Sequence, residues 1–216
     1  MSRQEDFRLK ITEKLEERAL KIVQGVIPNS RRANDENSRD TDFLIDGKYA
    51  DFQFSTSFEK YKDIRFDLIS CCSIKNKKTI RQVIYEMETA DLEPYTNFQK
   101  FITNWVDIVK YGKVSNLQNS HRPNSLIYFI YNKQESELDL ATATPDFLYV
   151  VKTDALLDYI KKNWKKVLKE RRFKFNRQTK SDMYEGLFFV ISAEEIEEIK
   201  LGYVIDLQYF SAILKS

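Results

Sequence analysis

The chain is poor in the residues that most often announce a chemistry. It has one histidine, His121, in a polar loop expected at 116–124, so it carries no His-rich catalytic motif and offers no Ser-His-Asp triad. Its two cysteines, Cys71 and Cys72, are adjacent; side by side in a strand they do not pair with each other, and no zinc-ligand spacing exists. That usage suits a reducing, intracellular (cytoplasmic) compartment. No apolar run approaches membrane-spanning length, and the polar N-terminus does not read as a signal peptide. Glycine is scarce, at 5 of 216 residues, while Phe (15) and Tyr (12) are plentiful, which favours ordered structure over disorder. A chain of this length can bury a sizeable core. A single domain over 1–216 is expected, with its core at about 5–152 and a basic helix with C-terminal strand–helix units at about 153–216.

Net charge is also small, +2, but unevenly spread. Residues 161–180 hold ten Lys and Arg against one acidic residue, a local +9 that leaves −7 on the remainder. The basic residues are Lys161, Lys162, Lys165, Lys166, Lys169, Arg171, Arg172, Lys174, Arg177 and Lys180, with Trp164, Phe173 and Phe175 between them. Such segregation marks a strip for a polyanion on an otherwise acidic protein. Lysines grip phosphates without reading sequence, and aromatics can stack on splayed bases. The plainer alternative is a solvated helix face with Trp164 in the core.

The hydrophobic pattern supplies the architecture. Residues 5–26 read as an amphipathic helix ended by Pro28, with Ile11, Leu15, Ile22 and Val26 at helical spacing. At 100° per residue Glu16 falls inside the apolar arc, while Glu13 and Glu17 point outward. A polar loop at 28–41 carries Arg31, Arg32 and Arg39, which could touch phosphates. Residues 63–72 alternate as a third strand that brings Arg65 and Asp67 to the same sheet, where a salt bridge is their simplest role. Helices are expected at 76–90 and 96–111, and a buried strand at 125–131. Strands at 147–153 and 187–192 each run into a helix, and 203–207 reads as a last strand. Strand–helix alternation of this kind favours an α/β fold with a mixed central β-sheet flanked by helices.

The most informative stretch is residues 40–55. Asp46-Gly47 is a strong signal for a tight primed turn, which needs positive φ at both central residues. With those residues at the centre, Ile45 faces Lys48, Leu44 faces Tyr49, Phe43 faces Ala50 and Asp42 faces Asp51. One hairpin face then carries Phe43, Ile45, Lys48, Ala50, Phe52 and Phe54; the other carries Asp40, Asp42, Leu44, Tyr49, Asp51, Gln53 and Ser55. Two carboxylates directly opposite each other repel. A shared proton, a basic side chain or a bound cation would offset that repulsion. Mg²⁺ takes oxygen ligands, and Asp42, Asp51 and the carbonyl of Phe52 could supply them. The alternative is a solvated face on which the aspartates never meet.

The run Thr41-Asp42-Phe43-Leu44-Ile45-Asp46-Gly47-Lys48-Tyr49-Ala50-Asp51-Phe52-Gln53 resembles the core motif of the PD-(D/E)xK nucleases, the restriction-endonuclease-like superfamily. In that family an Asp lies on one hairpin strand, and an acidic residue, a spacer and a Lys follow on the next. The resemblance implies a restriction-endonuclease-like core and a metal-dependent endonuclease that hydrolyses phosphodiester bonds, in DNA more than in RNA. It implies Asp42 and Asp51 as catalytic metal ligands, Gln53 orienting the attacking water, and Mg²⁺ as the cofactor, with Mn²⁺ as the alternative. Glu16, inward on the preceding helix, resembles the extra metal ligand of some members; otherwise it is a carboxylate snorkelling at the edge of the apolar arc. Thr41 stands where Pro is common. Gln53 stands where the family has Lys, and Gln brings no positive charge to the water. A catalytically inactive nucleic-acid-binding protein with the same fold is therefore the second reading, and a plain interaction protein the third. No membrane partner is expected, and the oligomeric state stays open, a homodimer included.

Overall fold

The computed structural model describes residues 3–33, 43–55, 58–111, 123–131, 144–177 and 185–207. In chain order the first elements are α1 (Arg3–Val26), β1 (Arg31–Arg32), β2 (Phe43–Ile45), β3 (Lys48–Ser55), α2 (Phe58–Tyr61) and β4 (Asp63–Ile74). Then come α3 (Ile80–Thr89), α4 (Phe98–Ile102), β5 (Val106–Tyr111), β6 (Ser125–Ile130) and β7 (Phe147–Lys152). The chain continues with α5 (Thr153–Lys169), β8 (Phe173–Arg177), β9 (Glu185–Ser192), α6 (Ala193–Glu198) and β10 (Gly202–Asp206). The fold is mixed α/β, and among the described residues no helix is long and apolar enough to cross a membrane.

The contacts cluster into two compact units, and neither is contiguous in sequence. The first takes Met1–Lys62, Pro123–Lys152 and Ala193–Ser216; the second takes Asp63–Arg122 and Thr153–Ser192. The chain leaves the first unit at Asp63 and again at Thr153 and returns to it at Pro123 and Ala193, so the units interleave along the sequence.

The first unit is built on a six-stranded sheet in the order β1-β2-β3-β6-β7-β10. Every neighbouring pair is antiparallel except β3 and β6, which run parallel with Phe52 beside Ile127 and Phe54 beside Phe129. The hairpin has the expected register: Ile45 opposite Lys48, Leu44 opposite Tyr49, Phe43 opposite Ala50. Asp46 and Gly47 have φ of 48° and 75°, the left-handed pair that a primed turn demands. The apolar face behaves as the alternation requires. Phe43, Ala50 and Phe52 are buried with Ile127, Phe129, Leu148 and Val150 of β6 and β7, under Ala19, Ile22 and Val23 of α1. The Phe43 and Phe52 rings stack with centroids 3.7 Å apart.

The second unit holds a four-stranded antiparallel sheet in the order β5-β4-β9-β8. Here α5 lays a stripe of Leu156, Leu157, Ile160, Trp164, Val167 and Leu168 into the interior. Tyr159 meets Phe189 of β9 at 6.3 Å between ring centroids, and Phe101 of α4 meets Trp164 at 5.0 Å. Thr79 and Gln82 close a capping box at the start of α3. Two expectations fail here. The segment 96–111 is not one helix: α4 lasts five residues and β5 follows. Val106, Ile108 and Val109 are β-branched, and the exposed flank of β4 offers them a pairing partner that helical spacing cannot register. The strand at 63–72 exists as β4 but belongs to this sheet, not to the hairpin's.

Two glycines separate a backbone effect from a steric one. A Cβ on Gly47 would meet nothing within 4 Å, so Gly47→Ala bears only the left-handed strain, about 1–2 kcal/mol. A Cβ on Gly202 would lie 2.1 Å from the carbonyl oxygen of Val150, so Gly202→Ala forces β10 away from β7. Chemical denaturation should show Gly202→Ala as the more damaging change, and limited proteolysis should cut it first near β10.

Candidate functional site

The polar face of β3 carries the residues singled out from the sequence. Asp51 is fully buried, and Gln53, two residues on and half-buried, points the same way. The Gln53 amide Nε2 donates a hydrogen bond to Asp51 Oδ2, one of the bonds the buried carboxylate needs if it is to stay charged. Asp42, the expected partner of Asp51 across the hairpin, lies outside the described residues, as do Asp40 and His121.

Register extends this face across the sheet. Gln53 sits beside Tyr128 of β6, and Tyr128 sits opposite Tyr149 of β7. The Tyr149 hydroxyl donates to Glu197 Oε1 of α6 at 3.2 Å. Burial, reinforced by the Glu197 charge and that hydrogen bond, pushes the Tyr149 phenol up to about 12. Sequence reading missed Tyr128, Tyr149 and Glu197. Both tyrosines lie in runs that looked uniformly apolar, and only the strand register puts them in line with Gln53.

Glu16 is placed elsewhere. It belongs to the helix that covers the apolar face, opposite to the side on which Asp51 points. Its carboxylate pairs with the Arg32 guanidinium at 3.5 Å, and Arg32 lies over the Phe43 ring, 5.6 Å from the centroid. That is the snorkelling arrangement, with an arginine partner added. The sheet therefore does not bring Glu16 and Asp51 to one face.

Arg65 and Asp67 stand in the second unit. Arg65 pairs with Asp63 at 3.8 Å rather than with Asp67, which accepts a hydrogen bond from the Ser70 hydroxyl. Burial raises the Asp63 carboxyl above its ordinary range, against the opposing pull of Arg65 and Lys174. Among the described residues no group of three His, Cys, Asp or Glu side chains is placed to hold a metal ion.

The basic stretch forms the outer side of α5 and the start of β8. Trp164, Phe173 and Phe175 are buried, so they serve the core and are not on offer to bases. Four of the cations have acidic neighbours: Lys165 with Glu93 at 3.6 Å, Lys166 with Glu170 at 3.8 Å, Arg171 with Glu88 at 3.2 Å and Arg172 with Glu170 at 2.8 Å. Lys161, Lys162 and Lys169 are exposed and make no ion pair among the described residues. Arg177 ends β8, and Lys180 lies outside the described residues.

The tyrosines give this unit an alkaline limit. Burial also holds Tyr131 at about 12. A phenol whose folded value exceeds the unfolded value of about 10 stabilises fully below pH 10, and that contribution drains away as pH rises toward 12. Wild type should lose stability through that window, and the double variant Tyr131→Phe/Tyr149→Phe should lose less, measured by denaturant midpoints across the alkaline range. In comparison with known proteins, no family model, no curated protein and no solved structure matches this chain.

Proposed function

We propose that the chain is a metal-dependent endonuclease of restriction-endonuclease-like type, hydrolysing phosphodiester bonds in DNA more readily than in RNA. One observation carries the reading: the Asp46-Gly47 turn sets the hairpin so that Asp51, a wholly buried carboxylate, and Gln53 share one face of β3. The donor set suits a hard cation, since the Asp51 carboxylate and the Phe52 carbonyl are oxygens of the kind that Mg²⁺ or Mn²⁺ accepts, and Asp42 is the third donor in this reading. A divalent cation bound there would offset the charge that develops on the phosphate and ease deprotonation of water near neutral pH. Asp51 contributes a buried carboxylate held by the Gln53 amide, so its oxygens are already fixed in place for a cation. Gln53 holds the Asp51 carboxylate in place and keeps its amide oxygen as an acceptor for a water's proton. Lys161, Lys162 and Lys169 hold the phosphate backbone.

The second reading is a catalytically inactive nucleic-acid-binding protein with the same fold. It is favoured by one specific feature: Gln53 spends its amide N–H on Asp51 and brings no positive charge where the family has Lys. Single-turnover cleavage of plasmid DNA with Mg²⁺ separates the two. The nuclease reading expects cleavage that EDTA stops, that Asp51→Asn abolishes without loss of stability, and that Gln53→Ala slows while Gln53→Lys keeps or raises it. Wild-type protein that binds DNA but never cuts it, with Gln53→Ala indistinguishable, selects the second reading.

Binding should weaken steeply with salt. Each phosphate neutralised on duplex DNA adds roughly −0.9 to the slope of log affinity against log salt. Lys161→Glu, Lys162→Glu and Lys169→Glu together should flatten that slope by about 2 to 3, whereas altering the already paired Lys165 and Lys166 should do less. An unchanged slope would leave the strip as a solvated helix face.

A further inference from the structure

The second unit contains a cavity of about 320 Å³ that neither the proposed chemistry nor the fold itself requires. It opens between β4, β5, α4 and α5. Its walls are mainly apolar, aliphatic with one aromatic ring, Phe98. Leu68 and Ile69 both line it although they are consecutive in β4, where side chains should alternate. A register shift against β9 between Asp67 and Ile69 makes this arrangement available, because a bulge turns an extra side chain to the same side. Phe98 and Ile102 of α4, Ile108 of β5 and Leu157 and Ile160 of α5 complete the apolar walls. The residues at the mouth differ in kind. Asn97, Gln99 and Lys161 are exposed and polar, and Lys161 is the cation with which the basic strip begins.

An apolar cavity of this volume, bounded by a bulge and rimmed by one cation, has the form of a ligand site: apolar body inside, a few polar groups fixing orientation. A water-sized group occupies about 30 Å³, so the interior takes about ten heavy atoms. We propose that this cavity binds a medium-chain aliphatic acid, with its alkyl chain against Phe98 and Ile108, over Ile69 and Leu157, and its carboxylate at Lys161. The lining is mainly apolar, with the Phe98 ring beside the aliphatic side chains, and its polar groups, Thr96, Asn97, Gln99 and Lys161, stand at the mouth. The single cation selects an anionic head group over a neutral or cationic one. The site lies wholly within the second unit and shares Lys161 with the basic strip, and its test reads ligand binding rather than cleavage.

The experiment is thermal denaturation of the full chain with decanoate, decanol, decylamine and adenosine monophosphate, each titrated separately. Decanoate at about 100 times its dissociation constant should raise the melting temperature by roughly 5 °C. Lys161→Glu, at an exposed position that leaves the core untouched, should weaken decanoate about tenfold while changing decanol little. Ile108→Trp, from the edge strand β5, should fill the cavity and remove the response to both. Decylamine matching decanoate, a response to adenosine monophosphate without one to decanoate, or a decanoate shift indifferent to Lys161→Glu would each overturn the proposal. If Ile108→Trp fails to fold, the Lys161→Glu comparison still decides it.

Discussion

The first unit depends on one constraint, the left-handed conformation of Asp46 and Gly47. That turn fixes which residues of β3 oppose which residues of β2, and with period-two alternation it fixes which face each side chain takes. A slip of one residue would turn Phe52 and Phe54 out of the apolar core and press Asp51 against α1. Burying an ionised carboxylate among apolar groups without partners costs several kcal/mol at least. Turn chemistry and hydrophobic pattern therefore select the same register, and their agreement makes the hairpin well specified.

The same strand serves two purposes because its faces are so unequal. One is the centre of the apolar core, with Phe52 packed between Phe43 and Phe129. The other collects a buried carboxylate, an amide and two tyrosines. The parallel pairing of β3 with β6 is what assembles that second face. It joins segments far apart in sequence, as in the hydrogen bond from the Tyr49 N–H to Asn124 Oδ1 across 75 residues.

In the second unit, charge and packing are divided along α5. Its apolar stripe anchors the helix, which leaves the lysines to the surface. Several of them sit near glutamates, but exposed ion pairs of this kind are worth about 0–1 kcal/mol. A polyanion could displace such partners at small cost, so pairing in the isolated chain does not remove these cations from a binding role. The aromatics are different: Trp164 and Phe173 lie in the core and cannot leave it without exposing large apolar area.

What the sequence by itself determined was local. Turn chemistry and alternation defined the register of the hairpin from Phe43 to Ala50, helical spacing defined α1, and apolar runs marked β6 and β7. Glu16 was legible as an inward carboxylate on α1, but its partner Arg32 comes from a strand that no helical period describes. The tertiary structure alone decided which sheet each strand joined. The period of β4 shows that it has two faces, not whose edge it pairs with. The segment 106–111 became a strand because β4 was there to receive it, overriding a helical reading of the same residues. It also decided that Tyr128 and Tyr149 stand in line with Gln53, since strand register between distant segments is set by the packing of whole faces and leaves no mark in either segment alone.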